Sequence, residues 1–194
     1  MGKGVIKIPT KKATKKIAQQ CVAAPSLQPY ILDPTISAAM GTKTKLSADK
    51  THGNRAKMTL EGNVQIISAS ESVKTDKVIY DEKANRLSMS GNVIISNKDA
   101  VIQAESGFKQ IRGDYAEVEE SKYYFPGRNA RGSAKNITME NKTTYKLKRT
   151  TYTTCSPQSN VWQLKASSLK LDQVKGSGLA KNVVLKIKKV PVMY

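Results

Sequence analysis

The chain has 194 residues, enough for one domain with a real core or for two small ones. Its formal net charge is +18 with 25% charged residues, and Gly and Pro are at ordinary levels, which excludes collagen-like and low-complexity sequence. No stretch reaches the roughly 18 apolar residues of a membrane-spanning helix, and one His with two Cys, lacking any CxxC or Cys/His cluster, excludes an ordinary structural zinc site.

Residues 1–20 carry Lys3, Lys7, Lys11, Lys12, Lys15 and Lys16 without an acid, and read as a basic mobile arm. They lack the apolar segment of about 7–15 residues that marks a secretory signal, so the chain is either cytosolic or seen without its signal. Residues 21–45 hold Pro25, Pro29 and Pro34, which break any regular element, so this segment reads as irregular.

From residue 46 to 194 the texture is period-2 alternation, the pattern of strands with one buried face. LEGNVQII at 60–67 returns as SMSGNVIIS at 88–96, an offset of 91 − 62 = 29 residues. Met58, Leu60, Val64 and Ile66 superpose on Leu87, Met89, Val93 and Ile95 at that offset. Each Gly-Asn-Val strand is followed by a second strand, Val73–Tyr80 and then Ile102-Gln-Ala104-Glu105, and an earlier copy stands at Leu46-Ser-Ala48-Asp49. In Val73–Tyr80 the alternation slips between Thr75 and Asp76, which places a β-bulge there. Gly132–Met139 matches Gly178–Leu185 at an offset of 46 and reads as a later copy. Tyr145–Thr150 and Trp162–Leu171 also alternate, and turn signals fall at 82–85, 96–99, 126–129, 140–142 and 175–178. Repeats of this length mean one structural unit used several times. The fold read from them is all-β, an elongated antiparallel sheet of stacked hairpins, with a fully closed sandwich as the alternative.

Catalysis has little to work with. The sole histidine, His52, sits beside Gly53-Asn54 in a predicted turn, and Gly176-Ser-Gly178 lacks the helix and Lys-Ser/Thr of a phosphate loop. No catalytic residue, metal or cofactor is assigned. Basic ends around a balanced middle point to an anionic partner. A single-strand nucleic-acid binder interleaves aromatics with basic residues, whereas Tyr123-Tyr124-Phe125 stands among Glu117, Glu119 and Glu120. A basic nucleic-acid-binding protein is kept only as an alternative. The remaining ligand class is a chain-like lipid held between two β layers.

The Gly-Asn-Val repeat with Ala/Thr-Asp in the next strand resembles the OstA-type domains of lipopolysaccharide transport proteins. Thr151–Pro157 around Cys155, then Trp162, then Val190-Pro-Val-Met-Tyr194, is similar in order to the end of the N-terminal periplasmic domain of the LptD lipopolysaccharide-assembly family. Gln20-Cys21 followed by Pro25-Ser26 resembles the start of the mature domain. The resemblance implies a twisted, open β-jellyroll at the periplasmic face of the outer membrane, and not an enzyme. It would receive lipopolysaccharide from an LptA-like bridge by edge-strand pairing. It would then pass the lipid to an outer-membrane β-barrel that follows in the parent chain and holds the plug lipoprotein LptE. Cys21 and Cys155 match the family's N-terminal cysteines, which pair with cysteines beyond the barrel in the oxidising periplasm; in this chain they could equally be free or joined to each other. A soluble LptA-like bridge protein of the same fold is the nearer alternative. The residues expected to line the lipid path are Met58, Leu60, Val64, Ile66, Leu87, Met89, Val93, Ile95, Ile102, Val118, Ile137 and Leu164.

Overall fold

A computed structural model describes residues 44–155, 161–172, 174–188 and 190–193. The basic arm, Cys21 and nearly all of the irregular segment lie outside the described residues. Twelve strands follow in order: β1 Lys45–Ser47, β2 Lys50–Gly53, β3 Lys57–Ile67, β4 Glu71–Asp81, β5 Arg86–Asn97 and β6 Val101–Gln110, then β7 Ala116–Phe125, β8 Ala130–Asn141, β9 Thr144–Tyr152, β10 Trp162–Asp172, β11 Ser177–Ile187 and β12 Val190–Met193. A single 3₁₀ turn, Pro126–Arg128, joins β7 to β8.

Every pairing is antiparallel and between neighbours, in the order β1-β3-β4 through to β12, with β2 also on β3. β1 and β2 are two halves of one edge strand, since Ser47 pairs with Gln65 and Lys50 with Glu61 of β3. Among the described residues no pairing joins this edge to β12, so the sheet is open.

What shapes the sheet is a line of positive-φ residues, with β-bulges at the first two. Asn63, Asn92, Glu120, Arg149 and Asn182 have φ of 46°, 47°, 46°, 47° and 49°. They fall one each on β3, β5, β7, β9 and β11, at spacings of 29, 28, 29 and 33 residues (92 − 63, 120 − 92, 149 − 120, 182 − 149). On β3 and β5 the ladder shifts register there, whereas on β7, β9 and β11 pairing is interrupted and the register is kept. Glu61 pairs with Lys77 and Val64 with Thr75, so Gly62 and Asn63 together oppose Asp76. Gly91 and Asn92 likewise oppose Glu105. Two residues against one bend and over-twist a sheet, and these bulges, in line with the positive-φ breaks of β7, β9 and β11, make a crease.

Local chemistry fits the crease. Gly62 and Gly91 have φ of 76° and 77°, and a Cβ on either would come within 2.5 Å of a carboxylate oxygen of Asp49 or Asp76. The next residue, Asn63 or Asn92, donates from Nδ2 to that same carboxylate at 2.8 Å. Carbonyls freed at the crease are taken up by hydroxyls: Thr75 donates to the Ser90 and Gly91 carbonyls at 2.9 and 2.8 Å, Ser121 to Ala134 at 3.0 Å and Thr150 to Ser133 at 2.9 Å. Small buried residues, Thr75, Ala104, Ser121, Ala134, Thr150 and Ala166, line the inside of the bend. The repeated Gly-Asn-Val is thus the crease itself, with Val64 and Val93, each 1% exposed, as the first inward residues beyond it.

Two ion and ring contacts show that the crease folds the sheet onto itself. Glu71 aligns with Asn97 and Lys109 with Leu87 on β5. In a flat sheet those rows stand about 33 Å apart, at about 3.3 Å per residue, yet Lys109 Nζ lies 2.8 Å from Glu71 Oε1. Phe125 and Tyr145 align with Ala130 and Met139 of β8, and their ring centroids are 5.9 Å apart. The two halves of each long strand therefore form two facing layers with one apolar core between them. This is the open, twisted all-β architecture expected.

Three details of the sequence reading change. The alternation does slip at Thr75–Asp76, where Val73, Thr75 and Val78 are all buried, but the extra residue sits on the Gly-Asn strands. The match of Gly132–Met139 to Gly178–Leu185 is not a structural repeat. β8 and β11 run in opposite directions, and Asn182 occupies the crease whereas its counterpart Asn136 pairs regularly with Lys148. His52 lies in β2, not in a turn.

Candidate ligand cavity

Between the layers lies a cavity of about 280 Å³. One wall is Ile66, Val73, Ile95 and Ile102; the other is Tyr80, Leu87, Met89, Val118, Ile137 and Met139. The alternation of β3 to β8 produces these walls, since every second side chain points inward. Polar groups ring the mouth: Ser68, Glu71, Asn97, Lys109, Gln110 and Tyr145. Lys109 donates to both Glu71 oxygens, at 2.8 and 3.0 Å, and so clasps the two layers together. Burial pushes the Tyr145 phenol above its ordinary value, against a hydrogen bond with Asn97 that lowers it. The arrangement offers an apolar slot with a single ion pair at its rim.

Of the twelve positions read from the sequence, Ile66, Leu87, Met89, Ile95, Ile102, Val118 and Ile137 border the cavity. Leu60, Val64 and Val93 are each 1% exposed and packed solid beside the crease. Met58 and Leu164 are half-buried against the core. Missed by the sequence reading were Val73, Tyr80, Met139, Tyr145 and the Glu71–Lys109 clasp. Val73 and Tyr80 carried a signal, being the inward phases on either side of the slip in β4. The clasp carried none, because its partners are 38 residues apart and on facing layers.

Beside the cavity, around residues 121–125 of β7 and 150–152 of β9, the space is filled instead. Tyr123 and Phe125 are 0% and 3% exposed, with ring centroids 5.0 Å apart, and Phe125 meets Tyr145. Tyr152 stacks at 6.1 Å from Trp162. The Tyr123 hydroxyl donates to the Thr151 carbonyl at 2.6 Å, and burial raises its phenol well above the ordinary value. Cys155 is 2% exposed, and no free cysteine stands among the described residues. Its carbonyl accepts from Arg131 Nε at 2.7 Å.

Fold and cavity together define an open, creased antiparallel sheet with an apolar slot between its own two halves. Residues 45–177 match the family described as "LptA/(LptD N-terminal domain) LPS transport protein". The chain is 32% identical over 138 residues to the LPS-assembly protein LptD of Saccharophagus degradans, covering 71% of this chain and 16% of that protein. It is 30% identical over 168 residues to the LptD of Pseudomonas fluorescens, covering 87% and 18%. A solved structure of LptH, the LptA homologous periplasmic component of the lipopolysaccharide transport device of Pseudomonas aeruginosa, superposes with a TM-score of 0.45 at 11% identity, covering 50% of this chain and 76% of that one. The chain belongs to the LptA/LptD N-terminal family of LPS transport proteins and is an OstA-type N-terminal LptD domain. It spans less than a quarter of the length of the LptD relatives it matches.

Proposed function

We propose that this domain is a periplasmic lipid-transfer module of lipopolysaccharide export. It takes lipid A acyl chains into the slot between its layers, receives them from an LptA-like bridge, and hands them to an outer-membrane β-barrel with its plug LptE. The apolar cavity lined from both layers is the observation that carries this reading. Each buried CH₂ contributes about 0.8 kcal/mol, and no chemistry is needed for a chain to slide between equivalent apolar rows. At 280 Å³ the cavity is at the low end of the roughly 300–1,000 Å³ of ligand pockets, so a lipid with several chains must spread the layers. Spreading separates Lys109 from Glu71 and leaves the lysine free to meet a phosphate.

The bridge joins by strand addition at an open edge. The β1–β2 edge favours this role, because β12 carries Pro191, which lacks an N–H for a new ladder. Cys21 and Cys155 act as disulfide-forming residues of the longer protein. The test is crosslinking of lipopolysaccharide to a photoreactive residue at Met89, with and without Ile95→Lys. The charged variant should remove most of the adduct while the fold is retained. Undiminished crosslinking in a folded Ile95→Lys protein would take the cavity out of the lipid path.

A further inference from the structure

On the outer face of one layer, built from 144–148 of β9, 168–172 of β10 and 177–181 of β11, stand Lys146, Lys148, Lys170 and Lys181, with Asp172 as the one acid on these three segments, and Lys175 extends the patch at the β10–β11 turn. On β3 and β4, by contrast, lysines meet acids across strands, in Lys57–Asp81 and Lys77–Glu61. On this patch like charges are placed side by side. Lys146 and Lys170 are direct register partners, an arrangement that costs stability. They share one carboxylate, Glu140 of β8, which the Lys146 hydrogen bond holds below its ordinary pKa. Among the described residues no carboxylate forms a salt bridge with Lys148, Lys175 or Lys181. On the β8 side the patch ends at an acidic strip, Glu117, Glu119 and Glu120 of β7.

The same surface carries exposed aliphatic groups. Val174 at the β10–β11 turn is 78% exposed, and Leu179, the register partner of Lys170, is 43% exposed. Lysines around projecting aliphatic tips are the composition of a surface that rests on an anionic bilayer, with phosphates meeting the ammonium groups and the tips entering the headgroup layer. A single-stranded nucleic acid would want exposed rings for stacking, and the exposed large apolar side chains among the described residues are all aliphatic.

We propose that this outer face, formed by residues 144–148, 168–172 and 177–181, docks on an anionic phospholipid bilayer, with the Val174 hairpin tip as its apolar contact. The face points away from the cavity, so docking orients the domain on a membrane while leaving the slot free. This does not depend on what the slot carries.

The test is co-sedimentation of the full chain with vesicles of phosphatidylglycerol in phosphatidylcholine, and with pure phosphatidylcholine. Binding should require phosphatidylglycerol and weaken with salt. The variant Lys148→Gln/Lys175→Gln/Lys181→Gln should lose about a hundred-fold in partitioning, at roughly five-fold for each lysine near the surface. Val174→Ser should lose less and in a salt-independent way. A control of equal charge, Lys50→Gln/Lys83→Gln/Lys98→Gln, should keep most of the binding. Equal binding to pure phosphatidylcholine, no binding to either vesicle, or equal loss in both triple variants would overturn the proposal. So would a preference for an oligonucleotide over the vesicles at the same salt. All six lysines are exposed, so thermal melts of the variants should match the parent.

Discussion

The two ends of the creased sheet use the same backbone device and fill it differently. Around the cavity the facing positions of β3 to β8 are mostly aliphatic, with Tyr80 and Tyr145 at its border, and the layers stand apart. Beside it, where Tyr123, Phe125, Tyr152 and Trp162 stand, the space is packed. One fold can therefore be a slot or a core, depending only on whether inward positions hold branched aliphatics or rings. The aromatic end fixes the spacing of the layers, and the aliphatic end is where that spacing can change.

This contrast can be broken by deletion. Phe125→Ala removes a ring that is 3% exposed and in contact with both Tyr123 and Tyr145. It should cost about 3–5 kcal/mol in chemical denaturation. Ile95→Ala, on a wall that already faces a cavity, should cost only about 1–2 kcal/mol. Equal costs would mean the cavity end is packed as firmly as the other. Next in size is Gly91→Ala, which places a Cβ at φ 77° and within 2.5 Å of Asp76 Oδ2. A loss of about 1–3 kcal/mol is expected, whereas a neutral result would show that the crease does not need glycine.

Tyr123→Phe keeps the ring and removes the bond to the Thr151 carbonyl, at an expected cost of about 1–2 kcal/mol. The phenol's folded pKa is raised by burial. Its contribution is therefore complete below the unfolded value, near 10, and is lost as pH climbs above that toward the folded value. Melting temperature should fall in alkali, and fall less in Tyr123→Phe. The smallest effect is expected at the clasp. Lys109→Met removes a partly exposed ion pair and should change stability by less than about 1 kcal/mol, while raising the rate at which an apolar dye enters the cavity.

The crease was legible wherever glycine and asparagine wrote it. Gly62-Asn63 and Gly91-Asn92 have side chains suited to positive φ, so the repeat showed in the letters. At Glu120 and Arg149 the same backbone is held by the hydroxyls of Ser121 and Thr150, and no motif marked it. At 132–139 and 178–185 the letters agreed and the structure did not, because short strands of Ala, Lys and Asn look alike in either direction. Alternation separated inside from outside correctly at Leu60, Val93 and Ile137. It did not separate core from cavity, since that depends on how far the facing layer stands off, a distance set by side chains of the other layer that no local pattern reports. The clasp of Glu71 to Lys109 lies beyond any local pattern for the same reason.

Photocrosslinking of lipopolysaccharide from two positions in one chain tests the central claim most directly. A photoreactive residue at Met89, on the cavity wall, should give a strong lipid adduct, and one at Trp162, beside Tyr152 in the filled end, should give little. Comparable adducts at both positions, or none at Met89 in a folded protein, would contradict the account.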